Sequence, residues 1–352
     1  MSNTVLSEIK QLARARRDRR GLASFIGMRG LDSAVMFAAV AALLLTALSS
    51  LGSRYWLLEL LTHFRVQLAT GAVVLVVLTL VRRRSGSLIM TSVVAVANLA
   101  PVWAFTMSGG HAESGGAESA LRVMSLNVNL RNFDYGQALA LVENEHPDIV
   151  GFLEVNKAWT DHLSGLQATY PYSVLQPEEG AYGIALYSRF PLRELDASPY
   201  VEANVQAALL ADVALKGGEV RLILAHLLAP TSKQKAAVRN LQIETIAEKI
   251  RNESGREHIL LGDLNITPWS PHYVQLVEAG LQNAARGRGY WPTWPAGINP
   301  LKIPIDHCLV SDGIEVQQFR TSADFGSDHL AIIADVALAG SSSSAPGTRV
   351  PD

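Results

Sequence analysis

The sequence predicts a layered α/β sandwich preceded by three membrane-spanning helices. Two observations lead to this fold class. Three long apolar runs lie within the first 107 residues, and each is close to the roughly 20 residues that a helix needs to cross a bilayer. From residue 120 to residue 339, short apolar strands alternate with helical stretches, a pattern typical of sheets that carry helices on their outer faces.

The apolar runs cover residues 34–51, 66–81 and 87–107. One such run would also fit a buried helix, but three in succession, separated by basic residues, predict a three-helix transmembrane region over residues 32–107. A cleaved signal peptide fits the first run poorly, because the run begins only at residue 34 and two more follow it.

The basic residues around these runs predict their orientation. Residues 1–31 hold seven Lys or Arg against two acidic residues, and Arg82–Arg84 stand between the second and third runs. Positive charge is retained in the cytoplasm, so residues 1–31 form a basic cytoplasmic segment. Three crossings then place residues 108–352 in the periplasm or at the cell surface. The sequence therefore predicts a multi-pass protein of the cytoplasmic (inner) membrane, with the lipid bilayer as one of its partners.

Three further segments flank the apolar runs and the domain that follows them. Residues 55–64 fit either a short helix lying along the membrane interface or an extension of the second span. Residues 108–119 are rich in Gly and Ser and predict a flexible linker. Residues 340–352 predict a disordered tail. The domain between linker and tail is thus expected to cover residues 120–339.

The charge of this domain bears on its partners. Residues 119–352 contain 18 Lys or Arg and 26 Asp or Glu, so the net charge is 18 − 26 = −8. A generic nucleic-acid binder usually carries a basic face, which this balance disfavours. Cys308 is the single cysteine, so an intrachain disulfide is excluded.

The elements of this domain follow from their apolar patterns and turn residues. We expect helices over 136–146, 232–253 and 270–280, with Ser270 capping the last. We expect strands over 121–130, 148–155, 183–192, 205–215, 219–227, 258–265, 305–311 and 330–338.

Polar or titratable side chains stand at one end of six of these strands. They are Asn127, Glu154, His226, the pair Asp263 and Asn265, Asp306, and the pair Asp328 and His329. A single such residue is explained by a turn or a helix cap, but that explanation weakens when the feature occurs six times. Carboxylate and amide oxygens are the ligands of Mg²⁺ and Mn²⁺, and imidazoles transfer protons. The pattern therefore predicts a phosphoryl-transfer site that holds a hard cation.

The order of these motifs resembles a known family. An Asn at the end of the first strand is followed by Glu154, His226, GDLN at 262–265, IDH at 305–307 and SDH at 327–329. This order resembles the endonuclease/exonuclease/phosphatase superfamily, the deoxyribonuclease-I-like fold, over residues 121–338, and in particular its membrane-anchored members. The resemblance implies a four-layer α/β sandwich, in which two packed sheets are flanked by helices. It also implies a hydrolase with Mg²⁺ (or Mn²⁺) as cofactor.

The resemblance implies a metal-binding group in this chain. Glu154 is expected to be the main metal ligand, and Asn127 to hold the Glu154 carboxylate or a metal-bound water. Asp328 is expected to complete the network. Two positions depart from the family pattern, since Val155 stands where a second acid is often found and Leu330 follows the SDH motif.

The resemblance also implies a catalytic group. Asp263 is expected to orient or deprotonate the attacking water, and Asn265 to hold a phosphate oxygen. His226 is expected to contact the phosphate and protonate the leaving oxygen. His329 is expected to act as the paired acid/base, with Asp306 fixing its tautomer.

A basic and aromatic group lies between the GDLN and SDH motifs. Arg286, Arg288, Trp291 and Trp294 are predicted to bind the substrate, because cationic and aromatic side chains bind phosphates and stack on bases. The alternative, that the tryptophans pack in the core or clamp a loop, stays open.

The sequence thus predicts a membrane-anchored, divalent-metal-dependent phosphoesterase acting on an extracytoplasmic phosphoester. A lipid-linked substrate is favoured, because the domain is acidic and the linker is short. The alternative is an extracytoplasmic nuclease acting on DNA or RNA. A non-catalytic binding module is disfavoured by the full set of polar residues, and a transporter subunit by the small number of spans. No protein partner is implied.

The topology prediction is that the N-terminus lies inside the cell and the C-terminus outside. Alkaline phosphatase fused after residue 340 should be active, and a fluorescent protein fused there should be dark. Cytoplasmic fluorescence without phosphatase activity would overturn this orientation.

Overall fold

The computed structural model describes residues 30–83, 85–109, 121–196, 208–215, 218–253 and 255–339. The predicted basic segment up to residue 29, most of the predicted linker and the predicted tail lie outside these residues. The chain divides into two compact units. Met1–Ser49 and Arg65–Ala100 form the first unit, and Ser50–Phe64 and Pro101–Asp352 form the second.

The apolar helices are α1 (Gly30–Ser49), α3 (Arg65–Val81) and α4 (Ser85–Met107). By length and composition, α1 and most of α4 are each able to cross a membrane. Helix α3 meets the same criteria only together with the short helix α2 (Trp56–His63), from which a break separates it. Among the described residues there are thus two candidate spans, or three if the α2–α3 pair counts as one. The sequence analysis predicted three spans.

Polar residues within the first unit are paired between helices. The Asn98 side chain of α4 donates to Thr46 Oγ1 of α1 at 2.8 Å and to the Val94 carbonyl at 2.9 Å. The hydroxyls of Thr79 and Thr91 lie 3.3 Å apart. Such bonds satisfy polar groups that apolar surroundings would otherwise leave unpaired.

The second unit is built on two six-stranded sheets. The strands of the first sheet, in spatial order, are β11 (Ile314–Thr321), β12 (Ile332–Leu338), β1 (Leu121–Asn127), β2 (Ile149–Leu153), β4 (Ile184–Ser188) and β3 (Tyr172–Gln176). Those of the second are β5 (Leu192–Asp196), β6 (Ala208–Leu215), β7 (Gly218–His226), β8 (Glu257–Asp263), β10 (Asp306–Ser311) and β9 (Leu281–Asn283). The pairs β1–β2 and β7–β8 are parallel, and the other pairs are antiparallel.

The two sheets pack face to face, with helices on both outer sides. Alternate residues of both sheets, such as Val123 and Leu222, share one buried cluster. A Cβ on Gly151 of β2 would lie 2.4 Å from Leu224 Cδ1 of β7, so the glycine permits this close approach. Helices α5 (Tyr135–Glu145) and α6 (Lys157–Leu163) cover the first sheet, and α7 (Lys233–Asn252) and α8 (Val274–Glu278) cover the second. The four-layer α/β sandwich is confirmed.

Some predicted elements were wrong in detail. The strand expected over 183–192 is β4 and ends at Ser188, and Leu192 already begins β5 in the other sheet. The chain turns between them because the Ser188 hydroxyl both accepts from the Phe190 N–H and donates to its carbonyl, and Pro191 follows. The helix expected from Ser270 begins only at Val274. Strands β3, β9 and β11 were not predicted.

Candidate active site

The site residues meet because of strand register. The parallel pair β1–β2 places Asn127 beside Leu153, so Glu154 follows directly at the same sheet end. The parallel pair β7–β8 aligns His226 with Asp263, and the antiparallel β10 starts with Asp306 opposite Asp263. The corresponding ends of both sheets therefore carry the polar side chains that the sequence singled out.

Glu154 is held in an uncommon backbone conformation just beyond β2. Its φ is +63°, in the left-handed region that non-glycine residues seldom adopt. Its Oε1 accepts from Asn127 Nδ2 at 3.1 Å, and its Oε2 accepts from the Leu130 N–H at 2.9 Å. The next residue is fixed by a bond from the Val155 N–H to the Gly183 carbonyl. These contacts fix the direction of the carboxylate.

Asp263 lies at the centre of the cluster and is 1% exposed. Its Oδ2 lies 3.6 Å from His226 Nε2, 3.8 Å from His329 Nε2 and 3.4 Å from Asn127 Nδ2. Its Oδ1 accepts from the Asn265 N–H at 2.8 Å. The distances to both imidazoles exceed a hydrogen bond, so the two rings face the carboxylate across a gap.

His329 is oriented from two sides. Its Nδ1 donates to Asp306 Oδ2 at 2.9 Å, which leaves Nε2 facing Asp263. Its backbone N–H donates to Ser327 Oγ at 3.1 Å, and the Ser327 hydroxyl donates to the Asn127 carbonyl at 2.7 Å. The SDH loop is thereby tied to the end of β1.

Burial and mutual charge set the protonation states. Burial lowers the pKa of His226. Burial acts in the same direction on His329, but Asp306 and then Asp263 outweigh it and raise the pKa of His329 to about 10. Burial raises the pKa of Asp263 to about 8, with further contributions from the Asp306 and Glu154 charges. For Asp306, burial is outweighed by His329, and its pKa is lowered. These shifts favour a charged His329–Asp306 pair beside an Asp263 carboxyl group that keeps its proton to a higher pH than usual.

The donor set fits a hard divalent cation. Asp263, Asp306 and His329 each offer a ligand atom, and these atoms lie within 4.8 Å of one another. Glu154 Oε1 lies 3.9 Å from His226 Nε2. Oxygen-rich groups of this kind match Mg²⁺ or Mn²⁺ better than softer metals.

Asp328 joins the site through Asn129, which the sequence did not single out, and through Trp294, which it did. Its Oδ1 accepts from Asn129 Nδ2 at 2.8 Å, and its Oδ2 accepts from Trp294 Nε1 at 3.1 Å. Asn129 has a φ of +57°, and the Trp294 ring centroid lies 6.5 Å from that of His329. The Asn-x-Asn spacing of residues 127–129 was the available signal for Asn129.

Asn265 is also held in the left-handed region, with a φ of +50°. Its Nδ2 donates to the Leu227 carbonyl at 2.9 Å, directly after His226. Its own carbonyl accepts from Arg239 Nη1 at 2.8 Å. Tyr182, which the sequence did not single out, lies beside His226 with the ring centroids 5.7 Å apart.

The structure does not bring the other three predicted substrate residues to this cluster. Arg286 Nε donates to the Ser108 carbonyl at 3.0 Å, and the Arg288 guanidinium donates to the carbonyls of Ala284 and Val316. Trp291 packs against the cluster between the sheets, with its Nε1 donating to the Arg288 carbonyl at 2.8 Å. These described contacts tie the loop to neighbouring backbone, and a substrate role for the three residues stays a prediction.

The sequence model of the "Endonuclease/Exonuclease/phosphatase family" matches residues 124–329. This range includes all the polar site residues from Asn127 to His329. The chain belongs to this family. Its members are hydrolases that act on phosphoester bonds, such as nucleases and phosphatases. This assigns the chain to the same enzyme class.

Solved structures share the fold. An endonuclease/exonuclease/phosphatase from Beutenbergia cavernae is 22% identical with a TM-score of 0.53, over 63% of this chain and 72% of that one. D. rerio TDP2 in complex with a single-strand DNA product is 19% identical with a TM-score of 0.54, over 62% and 99%. The 3′ phosphatase NExo from Neisseria, bound to a product DNA hairpin, is 21% identical with a TM-score of 0.52, over 61% and 98%. A comparison with curated proteins found no match.

The His329–Asp306 contact predicts non-additive effects. Asp306→Asn should reduce kcat nearly as much as His329→Ala, by roughly 10²- to 10⁴-fold, because the amide no longer holds the imidazolium. The double variant should lose little more, since residues that act as a unit are non-additive. Steady-state kinetics of the three variants measure this, and single effects that multiply in the double variant would contradict the pairing.

Proposed function

We propose that this chain is a membrane-anchored, divalent-metal-dependent phosphoesterase that hydrolyses an extracytoplasmic phosphoester. The observation that carries the proposal is the position of Asp263. Its Oδ2 faces the Nε2 atoms of both imidazoles at 3.6 and 3.8 Å, and Glu154 and Asp306 lie beside them. An acid, two imidazoles and further carboxylates around one gap match the needs of phosphoryl transfer to water.

In this proposal Glu154 holds Mg²⁺ or Mn²⁺, with Asn127 fixing its carboxylate and Asp328 completing the network. A divalent cation there supplies positive charge that offsets the negative charge of the phosphoryl oxygens. The ligand atoms of Asp263, Asp306 and His329 lie within 4.8 Å of one another. The two carboxylates offer further oxygen ligands, whereas His329 as an imidazolium has no lone pair for a cation. The left-handed backbone at Glu154 supports this role, because strained residues of this kind cluster at functional sites.

The remaining residues handle water, protons and phosphate. Asp263 orients the attacking water and accepts its proton. His329, held as an imidazolium by Asp306, neutralises charge that develops on the phosphate. His226 contacts the phosphate and protonates the leaving oxygen, and Asn265 holds a phosphate oxygen. All five side chains lie at the same sheet ends.

Membrane anchoring rests on the apolar helices. Their number and length, and the basic residues between them, support an inner-membrane protein. In this proposal the second unit, which carries the candidate active site and is called the catalytic unit below, lies in the periplasm or outside the cell. Within the second unit, the end of α4 is bound to the loop after β9, since the Gly287 N–H donates to the Phe105 carbonyl at 2.9 Å. Residues 108 and 109, at the start of the predicted linker, also contact this loop.

A lipid-linked phosphoester is the favoured substrate class. The linker predicted over residues 108–119 is only about a dozen residues long, which restricts the reach of the site. Residues 119–352 carry a net charge of −8, which opposes binding to a polynucleotide backbone. Trp294, whose Nε1 donates to Asp328, is an aromatic residue at the site that could contact such a substrate.

The second candidate is an extracytoplasmic nuclease that acts on DNA or RNA. It is favoured by the structures of D. rerio TDP2 and Neisseria NExo, both of which hold product DNA. In that case Arg286, Arg288 and Trp291 would contribute to nucleic-acid binding after rearrangement of their loop.

Metal dependence predicts the effect of removing Glu154. Glu154→Gln should lower activity by roughly 10²-fold or more and weaken Mg²⁺ binding, because a neutral amide is a poorer ligand for a hard cation. Calorimetric titration with Mg²⁺ and activity with and without EDTA measure both effects. Full activity of the wild-type protein in EDTA would reject the metal mechanism.

The substrate class is tested by direct comparison. The full chain in detergent micelles should hydrolyse an isoprenyl pyrophosphate faster than double-stranded DNA or RNA at physiological salt. Glu154→Gln in parallel controls for contaminating hydrolases. Efficient cleavage of DNA or RNA with the lipid left intact would replace the lipid proposal with the nuclease one.

A further inference from the structure

Helix α2 inserts a buried charge into the catalytic unit. The side chains of Glu59 in α2 and Arg239 in α7 are both 0% exposed, and they form an ion pair with Nη2 2.6 Å from Oε2. Residues 180 positions apart are thus joined where water has no access. Burying two charges is costly unless their remaining hydrogen bonds are satisfied, so the other partners of this pair show what it holds.

The partners of the pair belong to the loop that follows Asp263. Arg239 Nη1 donates to the Asn265 carbonyl at 2.8 Å. Glu59 Oε1 accepts from the Ser270 hydroxyl at 2.7 Å. One turn further along α2, His63 Nδ1 lies 3.0 Å from the Thr267 hydroxyl. The charged pair and α2 therefore bind the loop at residues 265, 267 and 270.

This binding acts on a backbone that would not keep its shape unaided. Asn265 has a φ of +50°, a left-handed conformation that Asn adopts more readily than other non-glycine residues and that surrounding contacts help to select. The Asn265 carbonyl is fixed by Arg239, and its N–H is fixed by Asp263. Without the guanidinium, the peptide unit after Asn265 would lose the bond that fixes its direction.

We infer that Glu59 and Arg239 are positioning residues: the buried pair holds the Asp263–Ser270 loop, and with it Asn265, in the geometry that the reaction needs. Glu59 is supplied by the segment that connects two apolar helices, so the catalytic loop depends on a part of the chain outside the family match of residues 124–329. Neither residue touches the substrate. The inference rests on the proposed function for its kinetic effect, but its structural effect can be measured without turnover.

The test separates positioning from stability. Replacing a buried ion pair by apolar side chains of similar volume is often neutral for stability, whereas removing one partner is strongly destabilising. Glu59→Leu combined with Arg239→Met should therefore fold, yet it lacks the donor to the Asn265 carbonyl. The full chain is studied in detergent by hydrogen–deuterium exchange of peptides that cover residues 262–272, and by kinetics on the substrate that the wild type hydrolyses.

The double variant should show exchange about 10-fold faster or more in this loop. Its kcat should fall by roughly 10- to 100-fold, with a smaller change in KM, because Asn265 acts on the transferred phosphate. Ser270→Ala, which removes one bond to Glu59 and keeps the pair, should show a smaller effect of the same kind. If the double variant does not fold, the loop exchange and kcat of Ser270→Ala test the inference in its place.

The matched control is the buried pair of Asp212 and Arg221, whose Oδ1 and Nε lie 2.7 Å apart. Arg221 precedes His226 by five residues on β7, about 16 Å along the strand. Asp212→Leu combined with Arg221→Met should leave loop exchange and kcat unchanged.

Wild-type loop exchange and kcat in a folded Glu59→Leu/Arg239→Met variant would overturn the inference, as would equal effects of the control variant. If the wild type hydrolyses no phosphoester, the proposed function fails, and loop exchange alone then decides the positioning role.

Discussion

The register between paired strands is the constraint on which the site depends. Two parallel pairs, β1–β2 and β7–β8, run so that their carboxyl ends lie at corresponding ends of the two sheets. Each sheet alone would present only part of the polar set. The sheets pack closely enough that a Cβ at Gly151 would contact Leu224, and this packing brings Asn127 of the first sheet to 3.4 Å from Asp263 of the second.

The same packing also sets the protonation states of the site residues. Side chains at this junction are almost wholly buried, so their charges interact through little water. Asp306 and His329 stabilise each other's charged form, and Asp263 is left with its pKa raised by burial and by its acidic neighbours. A divalent cation beside Asp263 would offset this negative charge. The close packing of acidic side chains is unfavourable by itself, and for the same reason it favours binding of a cation.

The sequence was most informative where chemistry coincides with strand ends. Asn127, Glu154, His226 and Asp263 each follow an apolar run and His329 precedes one, which is visible locally. The motif order also resembles a family. Short or half-polar strands such as β3, β9 and β11 carry little of this signal, since five residues or fewer, or a solvent-facing alternation, resemble loops. The end of β4 at Ser188, before the chain enters the other sheet at Leu192, depends on the Ser188 turn, which alternation of apolar residues does not reveal.

The buried Glu59–Arg239 pair could be predicted only in part from the sequence. In α7 the buried positions include Ala236, Arg239, Ile243 and Ile250, a helical stripe on which one member is charged. An arginine on an apolar stripe requires a buried anion, but the sequence does not say where that anion lies. Glu59 stands in a stretch that fits either a membrane-surface helix or an extension of the second span, and only the folded chain joins Glu59 to Arg239. Because the charge that satisfies Arg239 comes from between two apolar helices, the catalytic unit of this chain is complete only when that segment is present, and the family match at residues 124–329 describes less than the working site.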